Sequence, residues 1–297
     1  MSIEVSTLKK ESNKREVVVD PDWCAGCGDF GVLRSLKKAT TDKDIKPHNM
    51  LVVSGIGCSS NLPGFIYAYG VHSLHGRALP VATGAKLANH NLKVVITGGD
   101  GDGYGIGVGH FIHAMRRNLD LTYIVMDNEI YGLTTGQASP TTTEGHKTKT
   151  TPTGNIEMPI NPLALALNSG ATFVARGFSG QPAQLSSLIE QGIAHKGFAL
   201  IDVFSPCVTY NKVNTYHWFK ERVYKLEDEE PGADLTDFSR AITKAMEFDS
   251  RIPIGIIYKI DKPTYEDKEP VLQNGPLVDQ QLGIKEELFY ELLAETI

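Results

Sequence analysis

Asp100 and Asp102 stand inside a glycine-rich run, GGDGDGYGIGVG at 98–109, and put two carboxylates where a phosphate group would have to approach. Backbone N–H groups and helix N-termini attract anions, so acids in such a loop repel a diphosphate unless a cation stands between them. The run follows an apolar stretch, 93–98, that reads as a buried strand, and it leads into a helical pattern over 104–117. A second apolar stretch, 121–127, ends at Asn128. In an open parallel sheet a right-handed crossover brings Asp100 and Asn128 to the same carboxyl edge, where ligands bind. A carboxylate, an amide oxygen and a nearby backbone carbonyl are hard donors that suit Mg²⁺, which shares its coordination with phosphate oxygens. A dinucleotide loop of the G-x-G-x-x-G kind fits poorly with two unscreened acids, and a plain surface turn leaves Asn128 without a part.

Four cysteines form the second set, Cys24, Cys27, Cys58 and Cys207. The polar, charged opening of the chain lacks the apolar core of a signal peptide, and no apolar run reaches membrane-spanning length. The cytoplasm is therefore the expected compartment, where thiols stay reduced. The spacing, one C-x₂-C pair, a single Cys58 and a distant Cys207, admits a zinc site, an iron–sulfur cluster or buried thiols. The tight CAGCG loop favours ligation for Cys24 and Cys27, whereas Cys207, behind Pro206 at a strand end, reads equally as ligand or core thiol.

Positioning these groups needs a regular scaffold. The 297 residues are 41% hydrophobic and 22% charged, enough for one large α/β domain with extensions. A net charge of −6 without a long basic run excludes nucleic-acid binding. Apolar runs at 50–58, 93–98 and 121–127, then TFVARG and FALIDVFSPC, alternate with helical patterns such as PAQLSSLIEQGIAHKG. That alternation predicts a doubly wound, mainly parallel sheet. Residues 134–162, rich in Thr, Pro and Gly, read as a long loop. Three parts are expected: a mobile arm at 1–16, a cofactor-binding α/β domain at 17–207, and an extension at 208–297 packed on that domain or on a partner. Within the extension, 252–258 reads as an added strand and IKEELFYELLAE as an amphipathic helix.

G-D-G at 99–101 followed by Asn128 resembles the diphosphate-binding motif of thiamine diphosphate enzymes. A wider set of segments is similar to the β subunit of 2-oxoacid:ferredoxin oxidoreductases over roughly 20–265. These are WCAGCGDFGVL, GIGCSSNLPGF, HGRALPVATGAKLAN, GDGDGYGIGVGHFIHAMRRN, DNEIYGLTTGQASPTT, INPLALAL and PCVTYN. The resemblance implies a pyrophosphate-domain fold in which Asp100, Asn128 and the Ile130 carbonyl hold Mg²⁺. It places Ile56, Gly57, Cys58, Ser59, His75, Gly101, Asp102, Gly132 and Leu133 against thiamine diphosphate. It assigns Cys24, Cys27, Cys58 and Cys207 to one [4Fe–4S] cluster. The chemistry agrees, because oxidative decarboxylation of a 2-oxo acid releases electrons that need a nearby acceptor, and Cys58 sits in the cofactor segment.

The implied reaction converts a 2-oxo acid, coenzyme A and oxidised ferredoxin into acyl-CoA, CO₂ and reduced ferredoxin. GNIEMPINPLALAL is most similar to members acting on 2-oxoglutarate, with pyruvate as the other candidate. The carboxylate that activates the aminopyrimidine has no place here, so no catalytic residue is assigned on this chain. The resemblance puts that group on a partner α or fused γ–α subunit that also contacts coenzyme A. Two other functions fit parts of the pattern, a non-oxidative thiamine diphosphate decarboxylase or synthase subunit and a zinc-stabilised scaffold subunit. Asn61 and Thr135 occupy positions where some relatives place basic residues near the substrate. His110 and His113 share a helix face at i, i+3 but suit packing better than ligation. His72 raises the same question and reads as a structural histidine, Arg77 suits an anion contact and the surface equally, and the acidic stretch 227–234 reads as a solvated face.

Overall fold

The structure, a computed structural model, describes residues 19–281 and 283–296, so the expected arm at 1–16 lies outside the described residues. Eight strands form one sheet: β1 (Met50–Ser54), β2 (Tyr69–His72), β3 (Lys93–Gly99), β4 (Leu121–Asp127), β5 (Phe173–Phe178), β6 (Phe198–Phe204), β7 (Val223–Lys225) and β8 (Ile252–Lys259). Their order is β2-β1-β3-β4-β6-β5-β8-β7, and every pairing is parallel except β5 with β8. The strands β1, β4, β5 and β6 are buried along their whole length, as the unbroken apolar runs require when helices cover both faces.

Helices α1 (Asp29–Asp42) and α5 (Pro182–Ala194) cover one face through Val32, Leu36, Leu185 and Ile189. On the other face lie α2 (Ala78–Ala88), α3 (Val108–Arg117), α4 (Pro162–Asn168) and α7 (Phe238–Met246). A short α6 (Tyr216–Lys220) seats Phe219 on Phe204. The expected strand at 252–258 is present as β8, so the segment after 207 adds two strands to the sheet. A terminal helix, α8 (Glu286–Ala294), has no buried residue. No helix among the described residues is long and apolar enough to cross a membrane.

Beyond β1 the chain turns through residues 58–65, whose Leu62 and Phe65 join the α1/α5 layer. Beyond β3 it enters α3 in the opposite layer. The two exits diverge and leave a crevice at the carboxyl ends of β1 and β3, the position at which such sheets bind ligands. The helix expected from residue 104 begins only at Val108. The glycines of 101–107 instead form one wide turn, closed by the Gly107 N–H donating to the Asp102 carbonyl five residues back at 3.0 Å.

At the opposite edge, the buried Lys86 of α2 ties together the entries to β3 and β4. Its Nζ donates to the carbonyls of His90 and Leu92 at 2.9 and 3.0 Å and to the Asp120 carboxylate at 2.9 Å. Lys86→Met keeps the length of the side chain but orphans these acceptors. A loss of roughly 2 kcal/mol of unfolding free energy is expected; chemical denaturation that shows no change would refute this role.

Candidate functional site

Sheet register brings the two parts of the expected Mg²⁺ site together. β3 and β4 pair with Gly99 opposite Met126, so Asp100 and Asn128 leave neighbouring strands side by side. Asp100 is buried and accepts a hydrogen bond at Oδ2 from the Thr141 hydroxyl at 2.8 Å. Burial pushes its carboxyl upward, against hydrogen bonds from Ser139 and Thr141. The Asn128 side-chain oxygen accepts the Ile130 N–H at 3.1 Å, and the Asn128 carbonyl accepts from Asn211 Nδ2 at 3.0 Å. The donor set is carboxylate, amide and carbonyl oxygen, which fits a hard divalent cation.

Asp102 points elsewhere. Its Oδ1 accepts the Gly76 N–H at 2.7 Å and the Ile56 N–H at 2.9 Å, and His75 Nδ1 lies 3.2 Å away. Burial raises this carboxyl and the three contacts oppose the shift. His75 Nδ1 also lies 3.2 Å from the Ile56 carbonyl. Both neighbours are acceptors, so Nδ1 carries a proton. A Cβ on Gly55 would overlap the Asp102 carboxylate, and one on Gly101 would enter the Tyr131 ring. These two glycines therefore allow close packing beneath the loop. Gly57, at φ +145°, faces open space, and the neighbouring Ser59 hydroxyl is buried without a partner.

The cysteines converge from three segments on the α1/α5 side of the crevice. Cys24 and Cys27 form a tight turn, with the Cys27 N–H donating to the Cys24 carbonyl at 2.9 Å. That turn sits on the end of β6 through the Gly28 N–H and the Pro206 carbonyl at 3.2 Å. A Cβ on Gly132 would stand 3.2 Å from Cys58 Sγ and 3.7 Å from Cys207 Sγ, so the 128–133 turn passes close beside both sulfurs. Cys27 feels both Cys58 and Cys207, and Cys58 feels Cys24, so all four thiols share one neighbourhood. Burial, then the charge of Asp29, pushes Cys58 up to about 12 and Cys27 higher still. Among the described residues no three His, Cys, Asp or Glu side chains close on a single metal ion, and His110 and His113 are no exception. Trp23 covers the group, donating from Nε1 to the Cys58 carbonyl at 2.6 Å and packing edge-on against Phe30 and Phe65.

Sequence reasoning missed several members of this edge. Thr141, in the long loop, stands 2.8 Å from Asp100 Oδ2 and 2.9 Å from Asp127 Oδ1. Burial and the charges of Asp100 and Asp202 push the Asp127 carboxyl well above the carboxylate range, against the hydrogen bond from Thr141. Glu129 and Arg176 complete a buried group around a cavity of about 230 Å³, whose wall includes Phe204, Met246 and Phe248. No motif marks these residues, because their meeting depends on the β4-β6-β5 order. Of the positions that differ from some relatives, exposed Asn61 donates to Asp22 at 2.9 Å, and exposed Thr135 adopts φ +77°.

Both oxygens of Glu129 are buried without a hydrogen-bond partner, and burial pushes its carboxyl from 4.5 up to about 8. A pKa raised on folding leaves stability intact below the unfolded value and removes it as pH climbs through the folded one. Glu129→Gln is expected to stabilise the cofactor-free chain at pH 8 by about 1–3 kcal/mol and to do little at pH 4.5. Equal unfolding midpoints for the two proteins at pH 8 would overturn this.

Comparison with known proteins gives this geometry a family. Residues 52–203 match the model of the thiamine pyrophosphate enzyme C-terminal TPP-binding domain, and residues 207–274 match the C-terminal region of the pyruvate ferredoxin oxidoreductase β subunit. The chain is 51% identical to a 2-oxoacid:ferredoxin oxidoreductase β subunit of Saccharolobus solfataricus over 83% of its length and 85% of the relative's. It is 49% identical to subunit β of 2-oxoacid:ferredoxin oxidoreductase 1 of Aeropyrum pernix, over 83% and 80% of the two chains. Among solved structures it is similar to 2-oxoglutarate:ferredoxin oxidoreductase of Magnetococcus marinus, a complex with 2-oxoglutarate, coenzyme A and succinyl-CoA bound. That match has TM-score 0.87 and 38% identity and covers 94% of each chain. The chain belongs to the β-subunit family of the 2-oxoacid:ferredoxin oxidoreductases.

Proposed function

We propose that this chain is the diphosphate-holding and electron-accepting half of a CoA-dependent 2-oxoacid oxidoreductase, with 2-oxoglutarate among its substrates. The observation that carries the reading is the meeting, at one sheet edge, of a hard oxygen set at Asp100 and Asn128 with four cysteines grouped from three segments. Thiamine diphosphate, when bound, supplies the carbon nucleophile for decarboxylation, and a [4Fe–4S] cluster passes the released electrons on singly.

The residues of this chain have distinct parts in that scheme. Asp100, the Asn128 amide and the Ile130 carbonyl would hold Mg²⁺, and Thr141 orients the Asp100 carboxylate. Gly57 and the unpartnered Ser59 hydroxyl leave room and a free donor for the cofactor, beside Ile56, Cys58, Gly101, Gly132 and Leu133. Asp102 holds the Ile56 and Gly76 amides in place and orients His75 through Nδ1. Cys24, Cys27, Cys58 and Cys207 would ligate the cluster. Cys58 adjoins the cofactor segment and Cys24 is exposed, which gives electrons a path from the reacting side toward ferredoxin. The carboxylate for the aminopyrimidine and the coenzyme A contacts fall to the partner α or γ–α subunit. The terminal helix α8, which buries no residue, is available for that contact.

Two measurements test the reading. The chain purified without oxygen is expected to carry about four irons and no zinc, and a colourless one-zinc protein would replace the redox function with a scaffold or non-oxidative one. In the enzyme assembled with its partner, Asp100→Ala is expected to weaken Mg²⁺-dependent thiamine diphosphate binding by about 10–100-fold. Fluorescence titration that finds unchanged affinity would remove Asp100 from the metal site.

A further inference from the structure

Of the four thiols Cys24 is the exposed one, and Ala25 and Gly26 beside it are exposed as well. Next to this turn stand Trp23 and Phe30, edge to face with ring centroids 5.3 Å apart, and Phe30 is exposed at the start of α1. One helical turn further along the same face comes the exposed Arg34, followed by the half-buried Lys37. A second segment meets the turn at Gly26, where a Cβ would lie 3.8 Å from Val208 Cγ1. The exposed Lys212 donates to the Val208 carbonyl and so holds its charge close to the thiols. Among the described residues no carboxylate pairs with Arg34, Lys37 or Lys212. By contrast Lys38 is paired with Asp42, and Asp22, the acid beside Trp23, accepts from Asn61 at 2.9 Å.

The chain carries a net charge of −6, so most of its surface repels a negatively charged protein. Bases without an ion pair beside an exposed aromatic ring reverse that at one place. Aromatic and arginine side chains are the types that docking surfaces favour. Electron-transfer encounters are also small, below about 1,200 Å² of buried surface, so a patch of this extent is enough for one.

We infer that the surface around Cys24, bounded by Phe30, Arg34 and Lys212, is the docking site of an acidic one-electron carrier protein. The inference rests on the cluster proposed above. The reduced cluster loses one electron and the oxidised carrier gains it, with no bond made or broken, and the electron originates in the oxidised 2-oxo acid. Phe30 supplies the apolar contact, while Arg34 and Lys212 steer the carrier and set its rate of association.

The test uses the enzyme assembled with its partner subunit, with iron counted on each sample. Its probes are a purified ferredoxin of net negative charge and methyl viologen, a small dye that needs no docking surface. Arg34→Glu combined with Lys212→Glu is expected to raise KM for the ferredoxin about tenfold at low salt and to flatten its rise with added salt. The rate with methyl viologen is expected to stay within twofold of wild type. Wild-type enzyme whose β subunit lacks iron would overturn the cluster and the inference together. With iron present, an unmoved KM for the ferredoxin, or an equal loss of the methyl viologen rate, would overturn the inference alone. A double variant that no longer copurifies with the partner subunit would give this face to that subunit and overturn the inference as well.

Discussion

The Asp102 carboxylate accepts the amides of Ile56 and Gly76 and touches His75, and through these contacts one side chain of the glycine-rich loop fixes two other loops of the carboxyl edge. The clasp works because neither Gly55 nor Gly101 has a side chain to keep the partners apart. Isolated hydrogen bonds to a carboxylate contribute modestly, but here they are buried and their loss would leave an uncompensated charge. The segment before Cys58 and the ring of His75 both take their positions from this one group. The glycine-rich run thus owes its second acid to architecture.

Much of this was legible in the chain. Runs such as LKVVITGG and LTYIVMD can only be strands buried on both sides, and once they are parallel neighbours Asp100 must meet Asn128. The grouping of the four cysteines followed from resemblance and chemistry, because C-x₂-C fixes only the first pair. Other parts were hidden for physical reasons. β2, YGVH, spans only four residues and is exposed along its length at the sheet edge. β7 spans three residues and exists because β8 offers it a partner. The late start of α3 reflects the wide turn at 101–107, whose glycines allow either conformation. Thr141 lies in a stretch without period, and nothing in TTTEG distinguishes the hydroxyl that reaches Asp100.

Charge is the recurring problem at this edge. Asp100, Asp127, Glu129 and Asp202 are all buried close to one another with Arg176. The chain manages them in different ways. Asp127 shares the Thr141 hydroxyl with Asp100, while Asp202 accepts the Tyr104 hydroxyl at 2.7 Å and faces Arg176. Glu129 has no hydrogen-bond donor on either oxygen and adopts φ +56°, a conformation that residues other than glycine seldom take. Such local cost is characteristic of sites whose geometry is set by what they bind.

The Asn211 amide that holds the Asn128 carbonyl comes from beyond the last central strand, more than half the chain after the segment at Ile56. During synthesis the loops after β1, β3 and β4 leave the ribosome first, yet Asn128 has no such support until the region around Cys207 and Asn211 has followed. For most of its translation the nascent chain thus carries exposed thiols and an acidic loop in an unfinished edge. Oxygen and stray metals reach that edge before β6 closes it, so the order of the residues along the gene sets a period of chemical vulnerability that the finished fold does not display.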